Sequence, residues 1–162
     1  MQKVTPCLWF DDQAEEAAKF YISVFQNGAI EKISHYGKEG FEVHHKAAGS
    51  VMTVIFELNG EKYMALNGGP EFKFNESISL IVNCESQEEV DYFWEKLGAG
   101  GEKGPCGWLK DKYGLSWQIT PIILGEMMSD PDAEKAGRVM NAMLKMKKLD
   151  IKTLEQAYTG YV

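Results

Sequence analysis

Two patterns of apolar spacing alternate along this chain. Val4–Phe10 is a short, largely apolar run of the kind that forms a strand. Ala14–Phe25 then carries apolar residues at Ala17, Ala18, Phe20, Tyr21, Val24 and Phe25, the spacing of a helix with one buried face. Asp12 is its expected N-cap, Glu15 and Glu16 favour the dipole in the first turn, and Gly28 is the expected C-terminal cap. Strands are predicted over Ala29–Tyr36, Ser50–Leu58 and Glu61–Leu66. Asn59-Gly60 between the last two is a hairpin signal, because both turn positions need positive φ. Asn67-Gly68-Gly69-Pro70 then breaks the pattern.

The pattern starts again. Ser77–Asn83 reads as a strand, Ser86 as the cap of a helix Gln87–Leu97, and Gly98, Gly100 and Gly101 as its end. Strands are predicted near Trp108–Lys110 and Leu115–Pro121, joined by the turn Asp111-Lys112-Tyr113-Gly114. The two helices match at a constant offset: Glu15 falls on Glu88, Phe20 on Phe93 and Tyr21 on Trp94 (88 − 15 = 93 − 20 = 73). A strand before the helix and strand signals after it, in both halves, point to duplication. The predicted fold is α+β: two βαβββ modules forming curved mixed sheets, at about 1–69 and 74–122, in a single domain of 162 residues. A helical tail at about 126–160 completes it. There Asp130 is the expected cap and Pro131 the first helical residue, followed by an apolar stripe at Ala136, Val139, Met140, Met143 and Leu144 that reads as packing. Asp150 is expected to cap a last helix through Tyr158, stopped by Gly160.

Strand alternation assigns faces. Ile78, Leu80 and Val82 are expected against the second helix, with Ser77, Ser79, Ile81 and Asn83 on the opposite side. Val4, Pro6 and Leu8 are taken as their counterparts in the first half, opposite Thr5, Cys7 and Trp9. Trp117 and Ile119 are expected to face the helix, which leaves Ser116, Gln118 and Thr120 on the concave side. A mixed polar and apolar face of this kind suits a cup for a small ligand.

Composition narrows the partners. Hydrophobic residues at 44% and charged residues at 25% are those of a globular protein. A net charge of −7 argues against nucleic acid, and the basic group Lys145, Lys147, Lys148 and Lys152 reads as a solvated helix face. No run approaches about 18 consecutive apolar residues and no leader pattern opens the chain, so no membrane partner is expected. Cys7, Cys84 and Cys106 are too widely spaced for a zinc knuckle, and their odd number argues against a disulfide framework, which points to the cytoplasm. His44 and His45 are adjacent and would point to opposite faces of a strand, so they cannot share one ion. Cys106 reads first as a small buried hydrophobe, since no histidine lies near it in sequence to activate it as a nucleophile.

Certain runs resemble a known family. The opening Val4-Thr5-Pro6-Cys7-Leu8-Trp9-Phe10, the Glu-Glu-Ala-Ala-Lys-Phe-Tyr helix and above all Cys106–Ile119, with its Asp111-Lys112-Tyr113-Gly114-Leu115-Ser116-Trp117-Gln118 core, resemble the PhnB-like branch of the vicinal oxygen chelate superfamily. Members of that branch often carry the label demethylubiquinone 3-methyltransferase-like, and the superfamily joins glyoxalases, bleomycin resistance proteins and dioxygenases. The tail from Ser129 to Tyr158 is similar too. The resemblance implies paired βαβββ modules and a homodimer, with sites where modules or subunits meet. Metal-dependent members place His or Glu ligands on the first and last strands of each module. Here those positions hold Val4 or Pro6, Met64 to Asn67, Ser77 or Ser79, and Gln118, so no such metal site is expected. No glycine-rich strand-to-helix loop suggests S-adenosylmethionine, and no cofactor is expected. The expected function is metal-independent binding of a small molecule, with Gln118, Trp108, Ser79, Ser77, Cys106 and Asn67 as ligand contacts and no catalytic residue assigned. The alternative is an enzyme of the same superfamily, isomerase, transferase or dioxygenase-like.

Overall fold

The computed structural model describes residues 2–161, and the chain divides between Phe74 and Asn75 into two compact units. The first contains β1 (Cys7–Phe10), α1 (Ala14–Phe25), β2 (Gly28–His35), α2 (Phe41–His44), β3 (Val51–Leu58) and β4 (Glu61–Asn67). Its sheet has four strands in the order β1-β4-β3-β2, with β1 parallel to β4 and the other pairs antiparallel. The β3–β4 hairpin closes as expected, with Asn59 at φ 50° and Gly60 at φ 86°. Ala14, Ala17, Ala18, Tyr21 and Val24 form the buried face of α1, and Leu8, Phe10, Val54, Phe56 and Ala65 that of the sheet. The alanines let the helix lie close to the strands, and the Tyr21 ring stacks 6.2 Å from that of Phe56. Burying Phe56 contributes about 1.5–3 kcal/mol.

Both ends of α1 differ from the expectation. Its first free amide, Ala14 N–H, donates to Asn67 Oδ1 at 2.8 Å, while the N-cap position is Gln13 and not Asp12. The C-cap is Gln26 at φ 58°, and Gly28 already belongs to β2. Glycine is needed there for another reason: a Cβ would lie 2.2 Å from Glu57 O on the neighbouring strand. The short α2 between β2 and β3 lacks an amphipathic period long enough to be predicted, and no residue in it is buried.

The second unit repeats the design with β5 (Ser79–Cys84), α3 (Gln87–Gly98), β6 (Glu102–Lys103), β7 (Trp108–Lys110) and β8 (Ser116–Pro121), in the sheet order β5-β8-β7-β6. Ser86 caps α3 as expected, accepting from Glu89 N–H at 3.3 Å. The helices correspond at an offset of 73 (87 − 14). The buried strand residues correspond at 74 (Leu8 to Val82, Phe10 to Cys84), so the strand-to-helix connection is one residue shorter in the second unit. Val82, Trp94, Leu97, Leu109, Trp117 and Ile119 are core. Ile78, expected against the helix, precedes β5 and is 72% exposed.

Three tail helices pack within this unit: α4 (Ile122–Met128), α5 (Ala133–Met143) and α6 (Ile151–Thr159). Leu124, Met127, Val139, Leu149 and Leu154 form their core. The unpredicted α4 follows β8 directly through Pro121. α5 is capped by Asp132, whose carboxylate accepts from Glu134 and Lys135 N–H, and not by Asp130. Asp130 instead accepts from Tyr158 O–H, and Pro131 lies outside the helix. The stripe is narrower than predicted, with Val139 buried but Leu144 60% exposed. Asp150 caps α6 and Gly160, at φ 78°, ends it, as expected. No helix among the described residues is long and apolar enough to cross a membrane.

Candidate functional site

The alternation of β8 sends Trp117 and Ile119 into the core and leaves Gln118 and Thr120 partly exposed on the other face. Cross-strand register then builds rows on that open face. Ile81, Gln118 and Trp108 form one row across β5, β8 and β7. Ser79, Ser116, Lys110 and Glu102 form the next, across all four strands. Between the rows, Gln118 Nε2 donates to Ser79 Oγ at 2.9 Å, which fixes the amide without engaging its carbonyl oxygen. Trp108, half-buried, helps line a concavity of about 150 Å³ together with Glu76, Glu102, Pro105, Lys110 and Ser116. Lys110 Nζ pairs with Glu76 at its rim. Hydrogen bonding from Lys110 holds the Glu76 carboxyl below its ordinary pKa, and hydrogen bonding to Glu76 raises the Lys110 ammonium.

The hairpin that presents Trp108 and Gln118 is organised by Asp111, which is 2% exposed. Its Oδ1 accepts from Tyr113 N–H at 2.8 Å and Leu115 N–H at 3.1 Å, and its Oδ2 from Trp117 Nε1–H at 2.9 Å. Asp111 is thus a positioning residue. Its place at the head of the Asp-Lys-Tyr-Gly turn, with a tryptophan indole N–H to satisfy six residues on, is the signal that could have found it.

Of the six residues singled out from sequence, Gln118, Ser79 and Trp108 come together on this face. Ser77 sits just before β5 in a turn, with its N–H and O–H both directed to Asn75 Oδ1. Cys106, at φ 55°, joins the sheet to the tail: its N–H donates to Met146 O and its thiol to Met143 O. Asn67 lies in the first unit, buried, with Oδ1 on Ala14 N–H and Nδ2 on Val51 O. Ser116, on the open face as predicted but not singled out, is fully buried, and its Oγ has no hydrogen-bond partner among the described residues. His44 is held locally, accepting from Lys46 N–H through Nδ1 and lying 4.5 Å from the Tyr36 ring. Among the described residues no three His, Cys, Asp or Glu side chains gather as a metal-ligand set.

A family model described as 3-demethylubiquinone-9 3-methyltransferase matches residues 2–120. The chain belongs to this family. A putative 3-demethylubiquinone-9 3-methyltransferase, PhnB protein, from Bacillus cereus shares 37% identity over 74% of this chain and 99% of its own, with a TM-score of 0.63. Protein PA1353 from Pseudomonas aeruginosa (18% identity, 75% and 98% covered, TM-score 0.59) shares the fold. So does the fosfomycin resistance protein FosX from Listeria monocytogenes (17%, 80% and 98%, TM-score 0.52), and the fold is glyoxalase/bleomycin resistance-like. No curated protein matches the chain.

The residues at β8 and at the strand-to-helix connections do not fit a superfamily-type metal ligand or a doubly wound S-adenosylmethionine site. On β8 the expected metal-ligand position is Gln118, a neutral amide tied to a serine hydroxyl, with no carboxylate, imidazole or thiolate in its cross-strand row. For S-adenosylmethionine in a doubly wound site, a glycine-rich loop should link a strand of a parallel sheet to its helix. The connections here are Asp11-Asp12-Gln13 and Glu85-Ser86, in sheets with one parallel pair each.

Proposed function

We propose that the open face of the second sheet binds a small molecule without a metal, through Gln118, Ser79 and Trp108. The Gln118–Ser79 hydrogen bond carries this reading. A polar pair is held in fixed geometry beside Trp108 and the 56% exposed Ile81, the mixture of orienting polar groups and apolar surface that ligand sites use. Exposed Ile78, ahead of β5, also supports a homodimer that covers apolar surface beside this face. Three free cysteines agree with a cytoplasmic location.

The test is a ligand-observed NMR screen of a compound library in chelator-treated buffer, against wild type and Gln118→Ala. Hits are expected to bind wild type without added metal. They should weaken about three- to tenfold in the variant, the worth of one neutral hydrogen bond. Hits that need a divalent ion, or that bind Gln118→Ala and Trp108→Ala as tightly as wild type, would sink the proposal.

A further inference from the structure

Ser116 stands apart from every other buried polar side chain described. The side chains of Asn67 and Asp111 are hydrogen-bonded, whereas Ser116 Oγ is enclosed, without a hydrogen-bond partner among the described residues, and set in the wall of the concavity. Burying a hydroxyl without a partner is unfavourable, so its retention calls for an explanation. Lys110, its cross-strand neighbour, lies on the same face and is held by the exposed Glu76 carboxylate. Glu102 continues the row beyond Lys110. Two carboxylates against one ammonium leave this rim with a net negative charge, which opposes an anion and favours a cation. Trp108 in the same wall offers a π face, which attracts cations as well.

We infer that this concavity is a subsite for the cationic head of a flat amine or amidine, which replaces the Lys110 ammonium against Glu76 and donates a hydrogen bond to Ser116 Oγ. Lys110 then acts as an internal competitor: a long, flexible side chain that occupies the carboxylates until a ligand cation displaces it. The inference rests on the small-molecule reading above and deepens it by naming the ligand class. It puts the charged end of the ligand at the Ser116 row and the remainder along Gln118 and Trp108.

Benzamidine is the probe, with benzoate and benzyl alcohol as controls, titrated at low salt by ligand-observed NMR. Saturable binding of benzamidine but not benzoate is expected. Ser116→Ala should weaken it about ten- to a hundredfold, as for loss of one hydrogen bond from a charged donor. Lys110→Met, which removes the competitor, should tighten it about three- to tenfold. Ser116→Ala deletes an unpaired oxygen and Lys110→Met changes a half-exposed side chain, so both should fold, and melting curves check this. No saturable benzamidine binding even in Lys110→Met, equal binding of benzoate, or unchanged affinity in Ser116→Ala would overturn the inference and leave Ser116 as a site for ordered water. Library hits that still depend on Gln118 under those outcomes would leave the small-molecule reading standing.

Discussion

Replacing Asp111 by alanine should cost the second unit a large part of its stability. Among the hydrogen bonds the carboxylate accepts, two come from donors with no route to water: Leu115 N–H and the buried Trp117 indole N–H. Tyr113 N–H is only partly buried and can turn to solvent. Two stranded buried donors, at about 1–3 kcal/mol each, predict a loss of about 2–6 kcal/mol. A domain of this size has about 5–15 kcal/mol in total. Asp111→Asn separates the contributions, because its carbonyl can still serve the two backbone amides while its NH₂ confronts the Trp117 N–H. About 1.5–3 kcal/mol is expected for that variant. Urea denaturation followed by tryptophan fluorescence measures both. A cost below about 1 kcal/mol for alanine, or an equal cost for the two variants, would refute the account of the hairpin.

Asn67→Ala should destabilise the first unit by about 2 kcal/mol in the same assay, since it removes both the α1 cap and the bond to Val51 O. Burial pushes the Cys84 thiol up to about 12, so at pH 8 it stays protonated. Mass spectrometry after alkylation should find Cys84 unmodified until denaturant is added, while exposed Cys7 reacts; equal native rates would contradict its burial. The hydrogen bond from Thr153 lowers the Asp150 carboxyl in the folded state. Its contribution to α6 is therefore present above the unfolded value of about 3.9 and lost as pH falls through the folded value. Circular dichroism from pH 5 down to pH 2 should show helix loss that is smaller in Asp150→Asn.

Local signals predicted the elements they control. Asn59-Gly60 fixed a hairpin because the turn needs positive φ, and Ser86 and Asp150 fixed helix starts because their partners lie three residues away. The start of α1 escaped because its cap comes from Asn67, 53 residues later, while Asp12 offers a tempting local substitute. α2 and α4 span four and seven residues, too short for a 3.6-residue period to declare itself. Gln118 and Ser79 were visible because a two-residue alternation assigns faces. Ser116 shares that alternation, but its burial depends on neighbours in other strands, and neither this nor the pairing of Lys110 with Glu76 can be read along one strand.

The two helix caps also set an order of assembly. Closing the 53-residue span from Asn67 to Ala14 carries about 2–3 kcal/mol more loop entropy than the three-residue span from Ser86 to Glu89. The first turn of α3 can therefore form in a chain that is otherwise unfolded, whereas α1 waits for the end of β4 before its leading amide is satisfied. The halves of the duplication share a shape but should differ in folding route: pulsed hydrogen exchange is expected to protect the first turn of α3 before β5–β8, and that of α1 only together with β4.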